Sequence, residues 1–109
     1  MGQPKSLKNF VITENDDTLE VGLKFNKLTQ DMQKEFLSFF STIFFATGAN
    51  IRLFLGNLDY LNKESITFLL QLGRELGSNN RVLYLRETPE SLKRYIISNQ
   101  LDRFMIIES

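Results

Sequence analysis

Few side chains in this chain of 109 residues could carry out chemistry. The chain has no cysteine and no histidine, which excludes thiolate nucleophiles, disulfides, Ser–His relays and nearly all zinc sites. General acid–base catalysis needs titratable groups with shifted pKa values in a pocket. The acids of this chain fall at predicted turns and helix ends, where capping accounts for them; examples are Asp59, Glu64, Glu75 and Asp102. We therefore expect no enzyme activity, no metal and no cofactor.

The charge of the chain is balanced. Lysine plus arginine and aspartate plus glutamate both number 13, so no net charge attracts nucleic acid or acidic lipid. This balance outweighs a small basic patch of Lys93, Arg94 and Arg103. The apolar runs between Phe36 and Ala46 are broken by hydroxyl side chains and fall short of the ~20 residues that a membrane span needs. We expect no nucleic-acid partner, no membrane insertion and a cytoplasmic location.

The elements that would position these side chains begin with a predicted β-hairpin. Phe10–Thr13 is a short β-rich run, and Glu14–Asp17 supplies turn residues. Leu19–Phe25 alternates apolar and polar side chains, as a half-buried strand does. Residues 1–8 are expected to form a flexible N-terminus.

A long aromatic-rich helix is predicted next, over Thr29–Thr47. Thr29 is placed to cap it, and Asp31 lies in the first turn, where a helix favours negative charge. An apolar stripe with Met32, Phe36 and Phe40 indicates burial against a sheet.

The second half of the chain alternates strands and helices. The predicted strands are Ile51–Leu55, Val82–Leu85 and Phe104–Ile107, separated by helices that start near Lys63 and Thr88. Gly77 is expected to end the first of these helices in the left-handed conformation, and Thr88 to cap the second, ahead of Pro89. The apolar face predicted for the helix at Lys63 comprises Ile66, Leu69, Leu70, Leu72, Gly73 and Leu76.

The resulting order, β-β-α-β-α-β-α-β, predicts one α/β domain over residues 1–109. Alternation of this kind gives a mixed, largely parallel sheet behind an N-terminal β-hairpin, with about three packed helices. We expect the core to contain Leu23, Phe36, Phe40, Leu53, Leu55, Leu69, Val82, Leu83 and Leu92.

This order and spacing resemble the STAS domain of anti-sigma factor antagonists. In that family a strand leads into a loop of the form F-I-D-S-S-G-L and then a helix; here residues 51–70 read IRLFLGNLDYLNKESITFLL. Tyr60-Leu61 stand in for Phe-Ile, and Leu69-Leu70 match the family's usual Leu-Leu. Residues 92–104, with Asn99-Gln100-Leu101-Asp102 ahead of the phenylalanine, are similar to its tGLdelF ending. The resemblance covers nearly the whole chain from about residue 10.

The family's D-S-S-G motif is replaced by Asn62, Lys63, Glu64 and Ser65. In antagonists of the family a partner kinase, which is also the anti-sigma factor, phosphorylates the second serine, and that position is Glu64 here. Two interpretations of Glu64 stay open. It is either an ordinary first-turn acid that stabilises a helix or a partial imitation of phosphoserine. Ser65, or Thr67 a little further along, could be a relocated phosphorylation site.

The resemblance implies a non-enzymatic interaction module in bacterial regulation. It would bind a serine-kinase anti-sigma factor, or a related regulator, through the Asn62–Ser65 loop and Thr67. Two alternatives keep the same fold: a cytoplasmic accessory subunit of a lipid-transporting ABC system, or a scaffold protein of a stress-signalling complex. The aromatic-rich helix Thr29–Thr47 would suit the apolar interface of the ABC alternative.

Overall fold

In the part of the chain that the structure describes, six strands pair in one sheet in the same order as they occur in the sequence. The computed structural model describes residues 5–6, 10–23, 29, 31–32, 34–36, 38, 50–56 and 63–108. The strands are β1 (Lys5–Ser6), β2 (Phe10–Asn15), β3 (Thr18–Leu23), β4 (Asn50–Phe54), β5 (Leu83–Arg86) and β6 (Ile106–Ile107). Helical residues 31, 32, 34–36 and 38 form α1; α2 is Lys63–Gly77, α3 is Glu90–Ser98, and a 3₁₀ helix covers Leu101–Arg103.

The predicted hairpin is formed by β2 and β3, which pair antiparallel from Phe10↔Leu23 to Asn15↔Thr18. Two residues make the turn, and Asp16 takes a φ of 56°, a left-handed conformation that aspartate tolerates better than most residues. In β3 the alternation confirms the prediction, because Leu19, Val21 and Leu23 are buried. The part of the predicted strand beyond Leu23 lies outside the described residues.

The rest of the sheet is parallel. β4 pairs with β3 on one side and with β5 on the other, and β5 pairs with β6. The fold class is thus confirmed as an α/β domain with a mixed, largely parallel sheet. Asn50 extends the β4·β5 pairing, because its side-chain Oδ1 accepts a hydrogen bond from the Val82 amide at 2.9 Å.

One added strand departs from the predicted order. Lys5 and Ser6 pair antiparallel with Ile12 and Val11, so two of the eight residues expected to be flexible belong to the sheet. An edge strand offers unpaired backbone groups to any extended segment, so β1 needs no apolar alternation of its own.

The two faces of the sheet differ. Apolar side chains fill one face, including Val21 of β3, Leu53 of β4 and Leu85 of β5, each 0% exposed. The other face carries half-buried residues such as Glu20, Arg52 and Tyr84 in register across the same three strands.

Among the described residues, three phenyl rings pack together on the buried face. Phe10 of β2 lies 5.1 Å from Phe36 of α1 and 6.3 Å from Phe68 of α2, between ring centroids, and Phe36 lies 5.6 Å from Phe68. Tilted and edge-on ring pairs of this kind add to the stability gained from burial. The rings therefore tie the hairpin to both helices.

Seven of the nine predicted core residues are buried: Leu23, Phe36, Leu53, Leu55, Leu69, Leu83 and Leu92. Val82 is half-buried because it precedes β5 rather than lying within it. Phe40 lies outside the described residues.

The helix ends confirm one prediction and correct two. The Met32 amide donates to Thr29 Oγ1 at 3.2 Å, as an N-cap requires. Pro89, not Thr88, is the N-cap residue of α3, and no side chain caps that end.

The prediction that Gly77 ends α2 in the left-handed conformation is wrong. Gly77 is the last residue of the helix, and the left-handed residue is Asn80, with φ of 61°. The Asn80 amide donates to the Gly77 carbonyl at 3.2 Å and the Arg81 amide to the Leu76 carbonyl at 2.8 Å. This is a Schellman pattern with asparagine in the position that usually holds glycine.

Candidate partner-binding site

The predicted site follows the carboxyl end of β4. Leu55 continues that strand's pairing by donating from its amide to the Arg86 carbonyl at 2.9 Å, and Gly56 then turns the chain. Residues 57–62 lie outside the described residues, so Asn62 is not placed. α2 begins at Lys63.

Three of the five predicted site residues share an exposed face at the start of α2. Lys63, Glu64 and Thr67 are exposed, and residues three and four positions apart in a helix lie on one side of it. The Thr67 hydroxyl donates to the Lys63 carbonyl at 2.9 Å, which holds the threonine side chain along the helix. These three residues, the 63–67 strip, present a cation, an anion and a hydroxyl.

Ser65 lies on the opposite side of the helix, in the core. It is 0% exposed, and it begins the series of buried α2 residues Ser65, Phe68, Leu69, Leu72, Gly73 and Leu76. The predicted apolar face included Ile66 and Leu70, which are only half-buried, and omitted Phe68. The helix is rotated toward Phe68 because that ring joins the cluster with Phe10 and Phe36.

The burial of Ser65 bears on its predicted role as a relocated phosphorylation site. A kinase must reach the hydroxyl, and a phosphate carries about −1.5 to −2 charges, which the apolar surroundings of this position would not solvate. Thr67 is the exposed hydroxyl of this turn.

A second loop reaches the same edge of the sheet and was not identified from the sequence. Glu87 follows β5, is exposed, and takes a φ of 55°, which is uncommon for a residue other than glycine. A Cβ atom on Gly56 would collide with the Glu87 carboxylate, so the loops after β4 and β5 are in contact. In parallel sheets, binding sites commonly form outside the carboxyl ends of the strands.

The half-buried face of the sheet holds another charged cluster. Arg52 of β4 donates from Nε to Glu108 Oε1 at 2.8 Å and from Nη1 to Glu20 Oε2 at 3.2 Å. The hydrogen bond from Arg52 holds the pKa of Glu108 below its usual range, and the same bond raises the pKa of Arg52. A lowered pKa keeps Glu108 ionised, which suits an ion pair and not a general acid.

Comparison with solved structures identifies the fold. The crystal structure of TM1081 from Thermotoga maritima, described as a candidate anti-sigma factor antagonist, matches 92% of this chain and 86% of its own at a TM-score of 0.72 and 22% identity. The NMR structure of TM1081 matches at a TM-score of 0.76 and 19% identity, over 100% of this chain and 90% of that one. The chain has a STAS-like fold.

A further solved structure has the same architecture. The Bacillus cell fate determinant SpoIIAA in its phosphorylated form matches 100% of this chain and 92% of its own, at a TM-score of 0.68 and 17% identity. No protein-family model matches the sequence, and a search of curated proteins found no significant match. The STAS-like resemblance inferred from the sequence is thus confirmed by three-dimensional structure.

The resemblance in sequence predicts that Glu64 corresponds to the family's phosphorylated position. The structure places Glu64 in the exposed first turn of α2. A first-turn carboxylate stabilises a helix by about 0.3–1 kcal/mol through the helix dipole. The same residue is exposed at the surface of the domain. Among the helices that the structure describes, none is long and apolar enough to cross a membrane.

Proposed function

We propose that this chain is a non-enzymatic STAS-type module that binds a protein regulator through the 63–67 strip. The observation that carries the proposal is the joint exposure of Lys63, Glu64 and Thr67 at the start of a helix whose opposite side is packed into the core. Packing of α2 against the core holds the backbone that carries these charges, which lowers the ordering cost of binding. The fold it shares with anti-sigma factor antagonists supports an anti-sigma factor as the class of partner.

We further propose that Glu64 is the charged determinant of this surface. One carboxylate provides a single charge and two acceptor oxygens, against about −1.5 to −2 charges and three oxygens for a phosphoserine. It therefore imitates a phosphorylated residue in part, and it cannot be switched off by a phosphatase. Regulation through this position would then depend on the amount of partner rather than on phosphorylation.

The neighbouring loop at Glu87 extends the proposed surface. Its carboxylate is in contact range of Gly56 and adds a second acid at the carboxyl edge of the sheet. Among the described residues of this edge, two acids against one lysine favour a partner whose contact surface is basic, because complementary charge fixes the docking orientation and speeds association.

Site-specific photo-cross-linking in cells of the source organism tests the proposal. A photoreactive phenylalanine is placed at Lys63, and the matched control is placed at Arg94 of α3, whose side chain is 78% exposed. We expect a regulator of the anti-sigma factor class to be cross-linked from position 63 and not from position 94. Equal cross-linking from both positions, or cross-linking only from position 94, would contradict the proposed surface.

The ABC-system alternative gains no support from the described residues. Its proposed interface was the helix Thr29–Thr47, of which the structure describes only part, and there Met32 and Phe36 are buried in the core. The placement of the 63–67 strip favours the regulatory module.

A further inference from the structure

A groove of about 660 Å³ opens at the end of the domain opposite the 63–67 strip. It lies between the last turns of α2, the 3₁₀ helix and the first residues of β5 and β6. Because the groove-lining residues of α2, Gly73, Arg74 and Gly77, lie about ten residues beyond the strip and a helix rises about 1.5 Å per residue, the groove and the strip are centred roughly 15 Å apart along the helix. The groove is therefore a separate surface, and an inference about it does not depend on the proposed function.

The charge of the groove is positive. Among the described residues, its lining includes three arginines, Arg74, Arg81 and Arg103, and a single acid, Asp102. Within the described part of the chain, no carboxylate lies within ion-pair distance of Arg74 or Arg103. The guanidinium groups of Arg74 and Arg103 can thus pair with an anionic ligand.

The two guanidinium groups are held by an aromatic ring. Arg74 Cζ lies 5.3 Å and Arg103 Cζ 5.6 Å from the centroid of the Phe104 ring, within the range of cation–π attraction. This contact orients two planar, delocalised cations that bind anions with paired hydrogen bonds and also stack on aromatic rings. Long surface arginines without such support lose more side-chain entropy on binding.

The helix dipole opposes anion binding here but is the smaller effect. The C-terminus of a helix carries the equivalent of about −0.5 charge, against an excess of two positive charges among the lining side chains. In addition, the Leu76 and Gly77 carbonyls at this end already accept hydrogen bonds from the Arg81 and Asn80 amides.

Apolar side chains complete the lining. Leu83 and Met105 are buried, while Val82 and Phe104 are half-buried. Gly77 leaves open space, because a Cβ atom built on it would meet nothing within 4 Å. Pockets of roughly 300–1,000 Å³ with apolar walls and a few charged groups are typical of small-molecule sites.

We propose that this groove, between α2, the 3₁₀ helix and the amino ends of β5 and β6, binds a small aromatic anion. The anionic group is held by Arg74 and Arg103, and the ring system lies against the apolar wall in the space beside Gly77. Because the groove combines cationic and apolar lining residues in one volume, we expect a ligand to need both an anionic group and an apolar ring for tight binding.

Three probes test the ligand class: 8-anilinonaphthalene-1-sulfonate, the neutral 1-naphthol, and inorganic phosphate. Binding to the full chain is measured by titration calorimetry and by amide chemical-shift changes. We expect one saturable site for the sulfonate, binding at least tenfold weaker for 1-naphthol, and no saturation by phosphate at millimolar concentration. Tighter binding of 1-naphthol than of the sulfonate, or no saturable sulfonate site, would overturn the proposal.

Two variants and two matched controls locate the site. Gly77→Leu fills the open space, and the double variant Arg74→Gln with Arg103→Gln removes the charges; each is expected to weaken sulfonate binding at least tenfold. Ser91→Leu and Arg94→Gln make the same kinds of change at exposed positions of α3 and should stay within twofold of wild type.

The variants also separate a folding defect from a lost site. Melting temperatures within a few degrees of wild type would show that the two groove variants are folded. If one variant does not fold, sulfonate binding by the other still tests whether the ligand occupies the groove. Sulfonate binding by the folded Gly77→Leu variant within twofold of wild type would place the ligand elsewhere and overturn the assignment.

Discussion

The Nε atom of Arg52 lies 2.8 Å from Oε1 of Glu108. This bond joins β4, in the middle of the sheet, to the residue that follows the last strand, 56 positions away in sequence. The two side chains are 22% and 24% exposed, so the pair is shielded from solvent more than a typical surface ion pair. The pair lies on the half-buried face of the sheet, where Arg52 Cζ also lies 5.2 Å from the centroid of the Tyr84 ring.

The pair makes stability depend on pH in a defined direction. The hydrogen bond from Arg52 lowers the folded-state pKa of Glu108, whereas the unfolded value is about 4.3. A lowered pKa stabilises the folded state above the unfolded value, and this contribution is lost as the pH falls through the folded value. We expect Glu108→Gln to reduce the free energy of unfolding by about 1 kcal/mol at pH 7 and to lose less stability than wild type below pH ~4.3.

Urea denaturation at pH 7 and at several acidic pH values measures this effect. Glu75→Gln, an exposed acid in α2, is the control and should follow the wild-type curve. A constant difference between Glu108→Gln and wild type at every pH would contradict the expected linkage.

Two glycines of α2 should respond oppositely to the same substitution. A Cβ atom on Gly73 would lie 2.6 Å from the Phe104 carbonyl oxygen, a backbone atom that cannot move aside cheaply, so Gly73→Ala should destabilise by about 1–3 kcal/mol. Gly77 has open space, so Gly77→Ala should stabilise by up to ~1 kcal/mol because alanine favours helix. Thermal melts of both variants measure these two stability changes. A gain in stability from Gly73→Ala would show that α2 and Phe104 are not in close contact.

Asn80 should tolerate glycine but not alanine. Its left-handed φ of 61° costs a residue with an ordinary side chain about 1–2 kcal/mol. We expect Asn80→Ala to lose about 1 kcal/mol and Asn80→Gly to match or exceed wild type in urea denaturation. If both variants unfolded at the same urea concentration, the Schellman ending of α2 would be wrong.

The fold was predictable because its main signals are local. Alternation at Leu19, Val21 and Leu23 marks a strand with one buried face. Thr29 marks the start of a helix because its hydroxyl accepts a hydrogen bond from the amide of Met32, three residues later. Such signals need no knowledge of the rest of the chain. They indicated the element types and the sheet, apart from β1, whose pairing depends on the exposed edge of β2 and not on its own residues.

The site was predictable only in part, because side-chain direction within a helix turn is decided by tertiary packing. Sequence spacing grouped Ser65 with Glu64 and Thr67, yet the phenyl rings of Phe10 and Phe36 draw the Phe68 side of the helix inward and bury Ser65 with it. The left-handed φ of Glu87 left no sequence signal, since Glu-Thr-Pro reads as an ordinary helix start. The positive groove was hidden for a related reason: Arg74 and Arg103 are 29 positions apart and meet only at Phe104.

Glu64→Gln separates helix stabilisation from partner recognition. The change keeps the size of the side chain and removes its charge, so the helix should lose well under ~1 kcal/mol through the dipole effect. Removing a charge that faces a partner's desolvated surface should weaken binding far more, by about 2–5 kcal/mol. Affinity for the partner identified by cross-linking is measured with wild type, Glu64→Gln and Glu75→Gln, the last being an exposed acid at the far end of α2. We expect only Glu64→Gln to lose affinity. If both variants bound like wild type, Glu64 would be an ordinary first-turn acid, because its whole effect would then lie within the helix.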